Sequence, residues 1–309
     1  MALIQPPLMV NGAVHSARIM RMMARNLASA NQGIVEGNDL KARQMPTPGA
    51  GVAIGDGAAI VTGATSASQG SYTLFNVGAA NVPIAATGAS ARSDLVILRV
   101  QDPEYEGTRD PAADDIGFFE VIPGVSSTTT KPPAGYTAIP LARVAIPANT
   151  ATITDSMITD LRVIANPRRE RRLHTAFPAT LSSYTYSDNL YRNWPSQAAW
   201  QIPIPVWATY AKAVVTIAGL RESNGDTFGY MQTVLGTDKG EDTCIDDDQG
   251  NYIRRRTVVI ADNIPVSAAQ RGTTQTLRIQ TRLRSETGDI HVDGGTSLIC
   301  DIEFTEGLI

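Results

Sequence analysis

Charge is scarce in this sequence. Asp, Glu, Lys and Arg make up 18% of the 309 residues, where a soluble domain usually carries about 25%. With 43% apolar residues, so little charge predicts a surface partly covered in an assembly. A monomer rich in small side chains is the plainer alternative. The net charge of -4 divides evenly at Ala165, so neither half is a basic nucleic-acid arm or an acidic tail. Cysteine is reduced to Cys244 and Cys300, which could pair in a protein that works outside a cell but read first as two buried free thiols of a protein made in a cytoplasm. No run approaches the ~20 apolar residues that a membrane span needs. The first dozen residues lack the charged start and long apolar stretch of a secretory signal. The histidines, His15, His174 and His291, have no partner at a metal-ligand spacing.

Tests for catalytic and ligand motifs come out negative. Gly49, Gly51 and Gly55 have the wrong spacing for a dinucleotide fingerprint, and no helix follows to receive a pyrophosphate. There is no Gly-Lys-Ser/Thr for a phosphate loop and no Gly-x-Ser-x-Gly elbow for a nucleophile. Asp246, Asp247 and Asp248 invite a calcium reading, but Gly250 falls where a ligand belongs, so a polar hairpin turn is expected. Asp110, Asp114 and Asp115 lie in a proline-containing loop and read as solvated. The sequence thus assigns no catalytic residue, no metal and no cofactor.

What is present is one helix and many short strands. Ser16 can cap a helix over residues 16–29, with Ile19, Met20, Met23 and Leu27 on one face and Arg18, Arg21 and Arg25 on the other. The apolar face is expected to dock on its own domain or on a sister subunit. Asp56-Gly57 between apolar alternations signals a hairpin, since glycine accepts the positive φ of the turn. DLVILRV (94–100) is continuously apolar, as a strand buried on both faces would be. In TLRIQTRLR (276–284), Leu277, Ile279, Thr281 and Leu283 alternate with Arg278, Gln280, Arg282 and Arg284, a pattern of one wet and one dry face. The fold class expected is mainly β: an N-terminal β-rich domain over 1–165, a basic linker over 166–174 and an antiparallel β-sandwich over 175–309.

Two segments stand out in composition. Arg168, Arg169, Arg171 and Arg172 crowd the expected linker, where they are candidate assembly contacts that solvate it or meet acidic neighbours. All three tryptophans fall between 194 and 207. Tyr191, Trp194 and Trp200, with Asp188 nearby, are candidates for stacking on sugar rings. Filling the sandwich core or a subunit interface is the more ordinary use of such rings.

The order of segments in the first half is more specific than any one of them. A short helix leads to QGIVEGNDLKARQMPTPGAGVAIGDGAAIVTG, then GSYTLFNVGAANVPIAA, then SARSDLVILRVQDPEYEG, and ends in ITDLRVIANPR. Over roughly Met1 to Pro167 this resembles the N-terminal baseplate-attachment module of minor tail proteins and receptor-binding fibres of long-tailed bacteriophages, those of actinobacteria most of all. The key features are the Asn38-Asp39-Leu40 step, the Arg92-Ser93-Asp94 strand and the Ile158–Arg162 closure. The resemblance implies a non-catalytic virion component at the tail tip, made in the host cytoplasm. It would form a homotrimer or ring, contact other tail proteins and place the helix near the threefold axis or the tail hub. The second half matches no known motif. It is expected to face a host-surface glycan or to bridge to other tail proteins; an enzyme acting on cell-wall glycan is the third reading.

Overall fold

The computed structural model describes residues 16–284 and 288–309; His15 and the leading segment lie outside them. The described chain is mainly β with one short α-helix. It divides into two compact units, Met1–Pro167 with Leu308–Ile309, and Arg168–Gly307.

The first unit is built from three small antiparallel sheets. The strand Arg92–Val100 lies inside a four-stranded one, between Gly117–Ile122 and Ala138–Ile146. Val96, Leu98 and Val100 enter the main core on one face, while Leu95 and Ile97 pack with Ala138 on the other. This double burial is why the segment has no polar alternation. Near the end of the unit a 3-10 turn, Asp155–Met157, precedes a short strand, Ile158–Asp160.

The Asp56-Gly57 hairpin does not form. Gly51–Ile54 pairs with Ala42–Gln44 and Ala80–Pro83, whereas Gly57–Thr62 pairs with Gly33–Ile34 and Ser71–Asn76. The dipeptide is a corner between two sheets. Its backbone is taken up by a neighbouring turn: Leu40 N–H donates to Asp56 O at 2.9 Å and Gly55 N–H to Lys41 O at 3.0 Å. Gly57 has φ +142°, and a Cβ there would lie 2.5 Å from Asp39 Cα. The glycine serves close approach as well as turning.

The second unit has two antiparallel sheets. In the first, Arg169–Ala176, Ser297–Thr305, Tyr210–Ser223 and Arg254–Pro265 run side by side. In the second, Thr274–Leu283 and Thr227–Leu235 pair at the centre, and shorter strands flank them. Val215, Ile217, Ile302 and Phe304 from one sheet share a core with Met231, Leu277, Ile279 and Leu283 from the other. Each such side chain, removed from water, contributes about 1.5–3 kcal/mol.

The segment read as a basic linker is instead a strand of the first sheet. Arg169 to Ala176 pairs residue by residue with Thr305 to Leu298. Its alternation is between exposed and half-buried positions, so arginines occupy places where a core strand would show aliphatics. At Gly219 a bulge shifts the register of Tyr210–Ser223. Before it the odd-numbered residues 211–217 point inward; after it Leu220 and Glu222 do. The glycine has φ +83°, and a Cβ would meet Gly295 O at 2.6 Å.

Candidate functional site

The helix spans Ala17–Leu27, and Ser16 Oγ accepts from Ile19 N–H at 3.3 Å as an N-cap. Within the chain its polar docking contacts come from the arginines. Arg21 donates from Nε to Gln69 O at 2.9 Å and from Nη2 to Glu104 at 2.6 Å, with Asp102 3.1 Å away. Its guanidinium also lies 5.5 Å from the ring centres of Tyr72 and Tyr105. Arg18 reaches Glu104, and Arg25 reaches Ala67 O. Hydrogen bonds from Arg18 and Arg21 hold the Glu104 carboxyl down to about 2. Burial, then the bond from its hydroxyl to Asp102, pushes the Tyr72 phenol up. Of the predicted contact residues, Leu27 is 77% exposed and Met20 is exposed too, while Ile19 and Met23 are half-buried. Arginine wins the inner side because a ring of carboxylates, carbonyls and aromatic faces can use all five of its N–H groups.

Two of the segments that carry the first-half resemblance meet in space. The Arg162 guanidinium, fully enclosed, donates to Gly37 O at 3.3 Å and Asp39 O at 2.6 Å, and pairs with Asp160 at 2.7 Å. It thereby clamps the Asn38–Leu40 step, where Leu40 holds φ +52°, a strained value for a side chain of this kind. Arg162 also donates to Ile309 O at 3.4 Å, which Lys41 Nζ reaches at 2.9 Å. In the second motif Arg92 grips Asp94 at 2.7 Å, and Asp94 accepts Gly124 N–H at 3.0 Å. Nothing in local sequence spacing points to the reach of Arg162 across more than a hundred residues.

The aromatic candidates separate into two groups. Trp194 and Trp200 are 6% and 7% exposed and belong to the core of the second unit. They cannot stack on an external ring, because the inward face of the Ala199–Pro203 strand carries Trp200 and the Trp194 indole turns in to Ser182 Oγ at 3.2 Å. Asp188 is exposed and Tyr191 is half-buried at the surface. Tyr191 bonds Asp242, and burial followed by that carboxylate pushes its phenol up to about 12. Arg282 sits 4.8 Å from the Tyr191 ring and 4.6 Å from that of Tyr230, and pairs with Asp242 at 2.9 Å. Asp188 takes both ends of the Arg192 fork at 2.6 Å, which holds it down at about 2, and Arg192 covers the Tyr186 ring at 4.1 Å. The outer face of the second sheet therefore presents tyrosine rings interleaved with ion pairs. Arg278 spends its fork on Gly236 O at 3.0 Å.

The arginine cluster of 168–172 meets acidic neighbours. Arg168 pairs with Glu306 at 2.6 Å, Arg171 with Asp301 and Arg172 with Glu170, while Arg169 is exposed. Cys300 is buried, which pushes its thiol up to about 12, but Cys244 is exposed, contrary to expectation.

Two buried polar groupings escaped the sequence reading. His291 is held between Ser223 Oγ at 2.8 Å and Ser183 Oγ at 2.7 Å, with both ring nitrogens occupied and the ring shut from solvent. Glu222 is enclosed with Arg256 and Thr227 as hydrogen-bond donors and Arg254 at 3.9 Å. Burial, then a hydrogen bond with Asp247, pushes its carboxyl up to about 7. Asp247 is itself bound by Arg254, and Arg254 is bound to Gly250 O at 2.7 Å. The acidic run is thereby tied into a turn.

No family model matches the sequence, and neither does any curated protein. Among solved structures, the chain is similar to infectious bursal disease virus, Gx strain, at 10% identity over 89% of this chain and 77% of that one, with a TM-score of 0.26. The Gt strain gives 12% identity over 90% and 76%, with a TM-score of 0.27. The VP2 subviral particle of the same virus gives 12% identity over 90% and 79%, with a TM-score of 0.25. A likeness of this degree carries neither fold nor function across. No helix among the described residues is long and apolar enough to cross a membrane.

Proposed function

We propose that this chain is a structural virion protein of a phage tail tip or baseplate, with no catalytic role. The first unit anchors it to other tail proteins and to copies of itself, in the trimer that the resemblance implies. The second unit is presented for attachment to a host-surface glycan. One observation carries the reading. The three motifs by which the first half resembles tail-attachment modules are load points of the fold: Arg92–Asp94, and Arg162 clamping the Asp39-Leu40 step. The tyrosine and arginine face around Tyr191 and Arg282 supports the attachment role, since rings beside fixed polar groups suit sugar recognition. Trp194 and Trp200 have no part in it.

A second reading makes the second unit a bridge to other tail proteins, and the exposed apolar residues of its first sheet favour that. The test has two parts. Antibody raised to the chain should label the tail tip of particles in electron micrographs; label on the head or none would refute the anchoring role. Tyr191→Ala with Arg282→Glu should cut binding of the purified chain to actinobacterial cell envelopes at least about tenfold with the fold intact. Unchanged binding to the envelope would favour the bridge.

A further inference from the structure

Past the bulge at Gly219, the first sheet of the second unit carries a row of polar side chains on the face turned away from the core. Leu220, Tyr184 and Ile290 point into the core. Their neighbours along the strands, Arg255, Arg221, His291 and Ser183, therefore stand side by side on the other face, in register. Arg221 and Arg255 are direct cross-strand partners, and like charges so placed are destabilising. Arg255 is neutralised, because its fork meets both oxygens of Asp293, at 3.0 and 2.7 Å. Arg221 is not. It is half-buried, yet its guanidinium makes no ion pair or hydrogen bond among the described residues, and its nitrogens reach solvent. Its charge bears on His291 and Asp293 only at longer range. The other nearby carboxylate, Asp289, is taken by Asn224 Nδ2 at 2.7 Å.

The hydrogen bonds of His291 have a fixed direction. The Ser223 hydroxyl is buried, and His291 Nε2, 2.8 Å away, is its one hydrogen-bond partner among the described residues. Were Nε2 protonated, the Ser223 hydrogen would be enclosed without an acceptor, a costly state for a buried donor. Ser223 O–H therefore donates to Nε2. Burial holds the imidazole pKa down, so the ring is neutral at pH 7 and its single proton is on Nδ1, which donates to Ser183 Oγ at 2.7 Å. Ser183 is exposed. Its own hydrogen has no acceptor among the described residues and turns outward, and each bond in such a chain strengthens the next. With Nδ1 protonated, the imidazole cannot take the Ser183 proton, so the pair holds a ligand rather than attacks one.

We propose that Arg221 and Ser183, set on either side of His291, bind an oxyanion at the surface of the second unit. The group bound is a phosphate or a carboxylate. The Arg221 fork takes two oxygens, and the outward Ser183 hydrogen takes a remaining lone pair. The two Cα atoms are two strand spacings apart, about 10 Å, a gap that an extended arginine and one anion bridge. The anion also supplies the negative charge that the Arg221–Arg255 pair lacks. Phosphate-bearing and uronate-bearing surface polymers both display such groups. The site is on the sheet opposite Tyr191 and Arg282, so it rests neither on the glycan reading of that face nor on the tail-tip reading.

The experiment uses the full chain with isotope-labelled histidine and nitrogen NMR. The His291 signals are those that remain after His15→Gln with His174→Gln. At neutral pH they should show the tautomer protonated on Nδ1. Inorganic phosphate, added at constant ionic strength, should shift them saturably. Arg221→Gln should weaken phosphate binding at least about tenfold, and Ser183→Ala about three- to tenfold. Both side chains are at the surface, and circular dichroism would confirm that each variant is folded. Dimethyl phosphate and glucuronate, titrated separately, tell the two sources apart, the tighter ligand naming the polymer that carries the group. A tautomer protonated on Nε2, no saturable shift with any of the three anions, a shift that sodium chloride alone reproduces, or binding indifferent to Arg221→Gln would each overturn the proposal. Envelope binding through Tyr191 and Arg282 is read separately, so failure here leaves that reading standing.

Discussion

Replacing Glu222 by glutamine should make the second unit more stable at pH 8 and leave it unchanged below about pH 4. The Glu222 carboxyl is held at about 7 by burial and by its hydrogen bond with Asp247; in the unfolded chain it titrates near 4.3. Between those values the native state binds a proton that the unfolded state has lost. Stability therefore falls as pH rises across this window and levels off above about 7. At about 1.4 kcal/mol per pH unit the loss reaches about 3.6 kcal/mol by pH 8. Glutamine mimics the protonated acid: it still accepts from Arg256 and Thr227 and can donate to Asp247. His291 contributes with the opposite sign, since burial lowers its imidazole and its share is lost as pH falls below 6.5. The difference between wild type and variant removes that share. Urea unfolding followed by tryptophan fluorescence reports on this unit alone, because Trp194, Trp200 and Trp207 all lie in it. The difference in unfolding free energy should grow from near zero below pH 4, through about 1 kcal/mol at pH 5, to about 3.6 kcal/mol at pH 8. A variant that is less stable than wild type at pH 8 would show that Glu222 is ionised and supported by Arg256 and Arg254, and would refute the reasoning.

Other outcomes follow from the same contacts. Arg21→Ala should raise amide exchange in the helix by ten- to hundredfold, for a local loss of about 1–3 kcal/mol, with little change in the global midpoint. Gly70→Ala should do likewise, because a Cβ there would lie 2.6 Å from the Arg21 carbonyl carbon; mass spectrometry after deuterium labelling reads both. Arg162→Ala removes a buried charge from Asp160 and three carbonyls and should cost the first unit about 3–5 kcal/mol in thermal or urea unfolding. Trp200→Ala should cost the second unit about 3–5 kcal/mol. Trp200→Phe should cost far less, since the indole N–H it discards has no partner.

Where local chemistry decides the structure, the sequence was readable. Ser16 caps the helix as its hydroxyl permits, DLVILRV lies buried on both faces, and Leu277, Ile279, Thr281 and Leu283 all point inward. The misreadings share a cause: a local signal says nothing of its distant partner. Asp56-Gly57 does turn the chain, but into a second sheet. The helix has the expected two faces, but the carboxylates and rings that choose between them come from residues 69–105. Residues 169–176 are a strand because residues 298–305 accept them. Glu222 becomes internal because the bulge at Gly219 inverts the alternation ahead of it, so strict period two would have left it in water. Tryptophans in a core and tryptophans at a binding face have the same composition; only the strand register of Ala199–Pro203 puts Trp200 inside.

The chain path has one further consequence. The second unit begins and ends on paired strands, with Arg169 opposite Thr305 and Glu306 N–H donating to Arg168 O at 3.1 Å. Residues 308–309 then rejoin the first unit, where Ile309 accepts from Lys41. The second unit is thus a cassette spliced into the first through two adjacent ends. Any β domain with neighbouring termini could replace it while every bond of the first unit stays in place, so recombination at two points would exchange the second unit whole.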